Sequence, residues 1–144
     1  KGGLCHQPGH LIDIMATCLD ISGTKFPSNL NQQPTIPPEG KSLVPAFKNQ
    51  SLERAALYWE HEGNRAIRKG DWKLVAKSPT GPWELYNMQL DRTETNNLAS
   101  SNQDKVLELG KDWQAWAKRA KVLPWIWDKD QQDQLKKGKK KASN

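Results

Sequence analysis

The sequence predicts an α+β fold: a small four-stranded antiparallel sheet with a long C-terminal helix packed on one face, plus an N-terminal helix. Residues 56–87 contain four short β-rich runs separated by polar turns. Residues 10–22 and 103–123 each place apolar side chains at helical spacing. Because short loops between successive strands favour antiparallel pairing, the four runs are expected to form a meander.

The N-terminal helix is predicted over residues 10–22. Gly23 suits a C-terminal stop, and the apolar positions recur at helical spacing: Leu11, Ile14, Cys18 and Ile21. Cys18 is therefore expected to be a buried small hydrophobic residue. His10 is interpreted as a helix-start residue beside Asp13 rather than as a ligand. The spacing of Cys5 and Cys18 carries no metal signature and leaves their pairing open.

A proline-rich loop is predicted to follow the first helix. Residues 24–40 contain Pro27, Pro34, Pro37 and Pro38 and are expected to lack secondary structure. Structureless loops of this length are unusual inside a compact domain. The loop therefore suggests a linker or a segment lying over a neighbouring domain, and a separate subdomain is predicted to begin after Gly40.

The strands are predicted at residues 56–60, 65–68, 72–76 and 83–87. Within the third run, Trp72, Leu74 and Ala76 alternate with Lys73 and Val75. Since successive side chains of a strand point to opposite faces, this alternation predicts an apolar face against which a helix packs.

An acidic turn at residues 91–97 is predicted to be structural and to open the C-terminal helix. The segment begins at Asp91 but lacks the Gly at the sixth position and the terminal Glu of an EF-hand. An Asp-led turn that caps the following residues fits it better than a calcium loop.

The C-terminal helix is predicted over residues 103–123, with Pro124 as its stop. Its apolar side chains follow steps of three and four: Val106, Leu109, Trp113, Trp116, Ala120 and Leu123. Such a stripe is typical of a helix packed on a core, so Trp113 and Trp116 are expected to be largely buried.

The composition is that of a chain with a thin core. Hydrophobic residues make up 35% of its 144 residues, and the mean hydropathy is −0.86. Seven tryptophans compensate in part, since each can bury a large apolar area. A piece that buries one face against a larger domain is expected to have this composition. No apolar run is long enough to span a membrane.

Much of the net charge of +6 lies near the C-terminus. Residues 128–144 form a basic segment predicted to be disordered, with five lysines: Lys136, Lys137, Lys139, Lys140 and Lys141. The alternative is electrostatic contact with a polyanion. Without interleaved aromatic residues the segment cannot stack bases, so specific nucleic-acid binding is not expected.

Five segments of the chain resemble a known family. NRAIRKGDWKLV, GPWELYNMQLDRTETNNLA and WQAWAKRAKVLPW resemble the C-terminal end of the arylsulfatase (type I, formylglycine-dependent sulfatase) family, and HLIDIMATCLDISG and GKSLVPAFKNQ resemble segments further upstream in it. Order and spacing match from residue 10 to residue 125. The resemblance implies that residues 1–40, including the first helix, end the catalytic domain and that residues 41–127 form the C-terminal subdomain.

The resemblance also implies what the parent enzyme does and what this chain lacks. Members hydrolyse sulfate esters with calcium and a formylglycine made from the Cys of a Cys-x-Pro-x-Arg motif. Cys5 is followed by HQPG and Cys18 by LDIS, and neither sequence matches. The chain is therefore expected to carry no catalytic residue and no metal site, and to be inactive alone. Its expected partner is the N-terminal catalytic domain of the same chain, in a periplasmic or secreted enzyme.

The predicted substrate-binding residues are His61, Glu62, Asn64 and Arg65, in the turn HEGNR. Arg offers a planar fork of donors to a sulfate ester, and His can donate to a leaving oxygen. The simple alternative is a solvated polar hairpin tip. In the sulfatase family the corresponding loop lies at the rim of the substrate pocket, which favours the substrate-binding interpretation.

A second function remains open on the residues alone. The chain could be an independent basic module that binds sulfated or other anionic polysaccharide through its lysine-rich tail and the turn containing Arg65, Arg68 and Lys69. Such a module is expected to be a monodisperse monomer with salt-sensitive binding. A sulfatase subdomain is expected instead to expose an apolar face when isolated.

Overall fold

A computed structural model describes residues 2–123 and residue 125 of the chain. It divides into two compact units between Arg54 and Ala55. The first unit contains helix α1 (Asp13–Ser22), strands β1 (Asn29–Leu30) and β2 (Gln33–Pro34), and the short helix α2 (Val44–Phe47). The second contains strands β3 (Leu57–His61), β4 (Asn64–Lys69), β5 (Trp72–Ala76) and β6 (Glu84–Asn87), followed by helix α3 (Gln103–Arg119).

Helix α1 ends as predicted but begins three residues later. At its C-terminus Gly23 adopts φ +66°, its N–H donates to the Asp20 carbonyl, and the Thr24 N–H donates to the Leu19 carbonyl. This pair of bonds is a Schellman motif, in which glycine takes the left-handed conformation most easily. At the N-terminal end of the helix, the Asp13 side chain closes the preceding turn by accepting a hydrogen bond from the His10 N–H at 2.8 Å.

The burial of α1 is the reverse of an ordinary amphipathic helix. Its buried residues are the polar Asp13 and Thr17. The apolar side chains are exposed instead, among them Leu11, Ile14, Met15 and Ile21. Cys18 is also exposed, so the expectation that it is buried is wrong for this chain. The apolar side chains of α1 form an exposed surface that the other described residues of the first unit do not cover.

The proline-rich loop contains secondary structure, contrary to the prediction. Strands β1 and β2 form a small antiparallel hairpin in which Asn29 pairs with Pro34 and Leu30 with Gln33. The two connecting residues, Asn31 and Gln32, have φ of 48° and 63°. The four prolines favoured the prediction of a structureless loop. Both strands are only two residues long and exposed, so they have no apolar pattern by which the sequence could reveal them.

Residues 41–54 belong to the same compact unit as α1. The Lys41 N–H donates to Asp13 Oδ1 at 2.9 Å, and the Leu43 N–H donates to Thr17 Oγ1 at 2.9 Å. A Cβ at Gly40 would lie 2.0 Å from the Ile12 carbonyl oxygen, so only glycine permits this approach. The division of the parent protein into domains at residues 40 and 127 stays a prediction.

The predicted four-stranded meander is confirmed. The strands lie in the order β3-β4-β5-β6, every neighbouring pair being antiparallel. Ile67, Leu74 and Leu85 are paired across the sheet and completely buried. The alternation of Trp72, Leu74 and Ala76 is also confirmed, with Leu74 and Ala76 buried and Trp72 half-buried.

Helix α3 packs on this face, as predicted. Trp113 is 2% exposed and its indole N–H donates to the Trp59 carbonyl of edge strand β3 at 3.1 Å. Trp116 is half-buried and stacks on Tyr58 with ring centroids 5.1 Å apart. The buried core contains residues from both the sheet and the helix, together with Trp125: Ile67, Leu74, Leu85, Leu109, Trp113, Ala117 and Trp125.

The C-terminal end of α3 differs from the prediction. The helix stops at Arg119, so Leu123 lies beyond it and Pro124 is not the cause of its end. Lys121 adopts φ +58°, its N–H donates to the Lys118 carbonyl, and the Val122 N–H donates to the Ala117 carbonyl at 2.8 Å. This is again a Schellman motif, here with lysine in the left-handed position. The exposed Ala120 is therefore not part of the stripe, and Ala117 is buried in its place.

The acidic turn is structural, as predicted, but it does not open the helix. Asp91 Oδ2 accepts from the N–H groups of Thr95 and Asn96 at 2.9 and 2.8 Å. These backbone donors lower the pKa of the Asp91 carboxyl. Helix α3 starts only at Gln103, and Asn97 links the intervening segment to the sheet by accepting the Leu85 N–H at 3.1 Å.

Candidate functional site

The predicted site lies in the connection between β3 and β4, called the hairpin tip (residues 61–65). His61 pairs with Asn64, so Glu62 and Gly63 alone form the loop, with φ of 50° and 82°. Two successive positive φ angles match the right-handed twist of the flanking strands. The Gly63 N–H donates to Glu60 Oε1 at 2.9 Å, and Asn64 Nδ2 donates to the His61 carbonyl at 3.0 Å.

A second loop packs directly on the hairpin tip. This companion loop (residues 77–82) joins β5 to β6 and was predicted only as a break between strands. A Cβ at Gly63 would lie 2.5 Å from Pro79 Cδ, so glycine is required there by contact as well as by its positive φ. The Ser78 N–H donates to Asn64 Oδ1 at 3.1 Å.

Arg65 connects the companion loop to the core. Its Nη1 donates to the Pro79 carbonyl and its Nη2 to the Gly81 carbonyl, the latter at 2.9 Å. The guanidinium carbon lies 4.4 Å from the centroid of the Trp83 ring, within the range of a cation–π contact. Partial burial lowers the pKa of the guanidinium from its ordinary value.

The four predicted residues therefore divide into two pairs. The side chains of the exposed Asn64 and the partly buried Arg65 both bind the companion loop. His61 and Glu62 are exposed at the tip. Whether the four bind substrate stays a prediction.

The basic turn proposed for polyanion binding is neutralised in part. Lys69 Nζ lies 3.0 Å from Glu108 Oε1 and 2.8 Å from Asp112 Oδ2, both on α3. Hydrogen bonds to Asp112 and Glu108 raise the pKa of Lys69, and hydrogen bonds from Lys105 and Lys69 lower the pKa of Glu108. Arg65 is bound to carbonyls of the companion loop, and Arg68 Nε donates to the Gly70 carbonyl at 3.3 Å, so each of the three cations in this turn has a partner within the unit. The lysine-rich tail lies outside the described residues.

A buried ion pair in the first unit was not predicted. Asp13 is fully buried, and its Oδ2 lies 2.6 Å from Nη2 of Arg54, whose side chain is 9% exposed. Asp13 also accepts from the backbone N–H groups of His10 and Lys41. An Asp at the first turn of a helix is ordinary, and no sequence pattern connects it with an Arg 41 residues later.

The residues described include no ligand set that fits a metal ion. No group of three or more His, Cys, Asp or Glu side chains converges within residues 2–123 and 125. Cys5 and Cys18 are both exposed free thiols. None of the helices in this part of the chain is long and apolar enough to cross a membrane.

Comparison with known proteins identifies the family. No family model matches the sequence. The chain is 32% identical over 110 residues to an uncharacterized sulfatase of Schizosaccharomyces pombe, covering 72% of this chain and 20% of that protein. It is 26% identical over 145 residues to a sulfatase of Formosa agariphila, covering 86% of this chain and 26% of that protein. The chain thus spans about a fifth to a quarter of the length of these relatives.

The fold is also found among solved structures. One is a protein crystallised in complex with its substrate D-glucosamine-2-N,6-O-disulfate. The TM-score is 0.55 and the identity 26%, over 78% of this chain and 24% of that one. The chain matches the C-terminal region of the sulfatase family, which confirms the resemblance seen in its motifs.

Proposed function

We propose that this chain forms the C-terminal part of an enzyme that hydrolyses sulfate esters. In that enzyme the apolar surface of the first unit packs on the part of the catalytic domain that lies outside this chain, and the hairpin tip contributes a wall of the substrate pocket. The chain is inactive alone, because formylglycine and calcium are held by residues of the parent outside it. The relatives support this assignment, since they are sulfatases four to five times as long as the matching segment.

The burial pattern of the first unit is the observation that carries the proposal. Among its described residues, only Asp13 and Thr17 are buried, and no apolar side chain is. Nine large apolar side chains are exposed: Leu4, Leu11, Ile12, Ile14, Met15, Ile21, Leu30, Ile36 and Phe47. Exposed apolar surface of this extent is typical of a surface that another domain covers. The second unit, by contrast, exposes only Leu90 and Leu107 among its described large apolar residues.

The geometry of the hairpin tip supports its role at a pocket wall. A wall that positions a substrate has to be rigid before the substrate arrives. The two-residue turn, the glycine contact with Pro79 and the Arg65 bonds supply that rigidity. His61 and Glu62 remain exposed and available to a ligand.

A charge introduced into the apolar surface tests the docking of α1. Ile14, 57% exposed in the isolated chain, is expected to be buried in the parent enzyme. Ile14→Asp is therefore expected to destabilise the full-length protein by about 3–5 kcal/mol, since it buries an uncompensated charge. The same substitution in the 144-residue chain is expected to change stability by less than about 0.5 kcal/mol. Chemical denaturation of both proteins measures the two effects.

Leu107→Asp is the matched control, because Leu107 is 61% exposed on α3 in the other unit. It is expected to leave both proteins nearly unchanged. Equal effects of Ile14→Asp in the long and the short protein would show that no domain covers this surface and would contradict the proposal.

A further inference from the structure

We propose that Arg65 is a positioning residue that holds the companion loop against the hairpin tip, so that the two loops together form one surface that recognises substrate. The inference rests on the proposed function, because it takes the hairpin tip to be part of the substrate pocket. It adds a second loop to that pocket wall and gives Arg65 a role that involves no contact with the substrate.

The position of Arg65 fits a clamp better than a ligand contact. Its two terminal nitrogens are directed at carbonyls two residues apart, those of Pro79 and Gly81. The planar guanidinium presents such donors in a fixed geometry, which a lysine ammonium does not. Its guanidinium carbon lies over the Trp83 ring, 4.4 Å from the centroid, and Trp83 packs edge-on against the buried Trp113 with centroids 6.1 Å apart. The companion loop is thereby connected through Arg65 to the most buried part of the core.

The companion loop has little freedom beside this clamp. A Cβ at Gly81 would lie 1.8 Å from the Lys77 carbonyl oxygen, so the loop closes tightly on itself. Its Ser78 N–H is held by Asn64, and its Pro79 ring contacts Gly63. Each of these contacts joins the loop either to itself or to the hairpin tip.

The combined surface presents polar side chains to solvent. His61 and Glu62 are exposed on the tip, and Lys77 and Thr80 are exposed on the companion loop. Lys77 adds a cation to a surface proposed to meet a sulfated molecule, where opposite charge favours encounter. The loop is therefore expected to influence which sulfate ester binds, whereas Arg65 only keeps the loop in place.

Limited proteolysis of the full-length protein measures the clamp directly. Trypsin cleaves after an exposed lysine when the surrounding loop can open, and Lys77 lies at the start of the companion loop. Arg65→Ala is expected to accelerate cleavage between Lys77 and Ser78 about tenfold, because it removes two hydrogen bonds that oppose opening. Asn64→Ala removes one bond to the companion loop, that from the Ser78 N–H, together with the bond to the His61 carbonyl within the hairpin tip. It is expected to give a smaller increase. If Arg65→Ala does not fold, Asn64→Ala still tests whether contacts with the hairpin tip hold the companion loop.

Arg68→Ala is the matched control. Arg68 lies on the same strand three residues further on, and its Nε donates to the Gly70 carbonyl rather than to the companion loop. It is expected to leave the cleavage rate after Lys77 unchanged. Mass spectrometry of the early fragments distinguishes this site from other tryptic sites.

Steady-state kinetics with 4-methylumbelliferyl sulfate separate positioning from mere stability. Arg65→Ala is expected to raise KM about tenfold with kcat within about twofold of the parent, since a displaced wall weakens ground and transition states alike. The KM of Arg65→Lys is expected to lie between those of the unsubstituted enzyme and Arg65→Ala. His61→Ala is expected to raise KM without changing the cleavage rate at Lys77.

The outcomes distinguish the two proposals. Unchanged cleavage after Lys77 in both Arg65→Ala and Asn64→Ala overturns the clamp. A raised KM in His61→Ala with an unchanged KM in Arg65→Ala overturns the positioning role and leaves the pocket-wall assignment intact. If KM changes in neither variant, the pocket-wall assignment fails, and the positioning role fails with it.

Discussion

At the scale of single residues, the ionisation of Asp13 depends on contacts that only the fold provides. Burial opposes its ionisation, but the hydrogen bond from Arg54 and the backbone bonds from Lys41 and His10 outweigh this effect. The pKa of the Asp13 carboxyl is consequently lower in the folded chain than its ordinary value of 3.8. A carboxylate that is easier to ionise in the folded state stabilises that state above its ordinary pKa.

Asp13→Asn is therefore expected to weaken the first unit in a pH-dependent way. At pH 7 the charged carboxylate contributes fully, so the variant should lose hydrogen-exchange protection at the α1 amides. As pH falls below 3.8 and through the lower folded pKa, the wild-type contribution is lost and the difference between the proteins should shrink. Native-state hydrogen exchange of α1 across this pH range measures the difference.

Glu53→Gln provides the control, since Glu53 is an exposed carboxylate next to Arg54. It is expected to change α1 protection little at any pH. A difference between wild type and Asp13→Asn that stays constant with pH would contradict a role for the charge and leave only a packing effect.

At the scale of elements, α3 and the sheet depend on each other. Most of the stability of a helix in a protein comes from packing of its apolar side, so α3 needs the apolar face of the sheet. The sheet needs the helix in turn, because Trp113 fills its core and binds the Trp59 carbonyl on the edge strand. The Lys121 cap then directs Val122 and Leu123 back towards the core, where both are partly buried.

Trp113→Ala is expected to destabilise the chain by about 3–5 kcal/mol, through the cavity it leaves and the lost hydrogen bond. Trp113→Phe keeps an aromatic ring but loses the indole N–H, so its cost should be smaller. Trp116→Ala should also cost less than Trp113→Ala, because Trp116 is only half-buried. Urea denaturation followed by far-UV circular dichroism gives the three values. Equal costs for the two alanine variants would contradict this packing order.

At the scale of the whole molecule, the two units differ in how complete they are. The second unit has a core of its own, built from four strands and a helix. The first unit is held together by polar contacts around Asp13 and Thr17 and exposes its apolar residues.

The 144-residue chain alone is expected to show no sulfatase activity. Its two cysteines do not stand in a Cys-x-Pro-x-Arg motif, and its described residues include no convergent metal ligands. Incubated with 4-nitrocatechol sulfate and calcium, it should release no product above the rate without protein. The full-length enzyme, assayed beside it, serves as the positive control. Turnover that co-migrates with the pure chain through chromatography would contradict this assignment.

Much of the second unit followed from sequence because its signals are local. The short loops between strands, the alternation around Leu74 and the helical stripe through Trp113 depend on neighbours within a few residues. The family was also recognisable, because its motifs occur in the expected order. The hairpin tip could likewise be predicted from the sequence, because its turn residues are adjacent in the chain.

Only the tertiary structure decided which groups these elements contact. The periodicity of α1 marked its apolar residues correctly but carried no information that Asp13 and Thr17, on another side, are the ones buried. Arg65 was predicted to bind substrate, yet its two terminal nitrogens donate to carbonyls 14 and 16 residues away. The pairing of Asp13 with Arg54 spans 41 residues. Local patterns determine which backbone conformation a segment prefers, whereas burial and pairing depend on residues that only folding brings together.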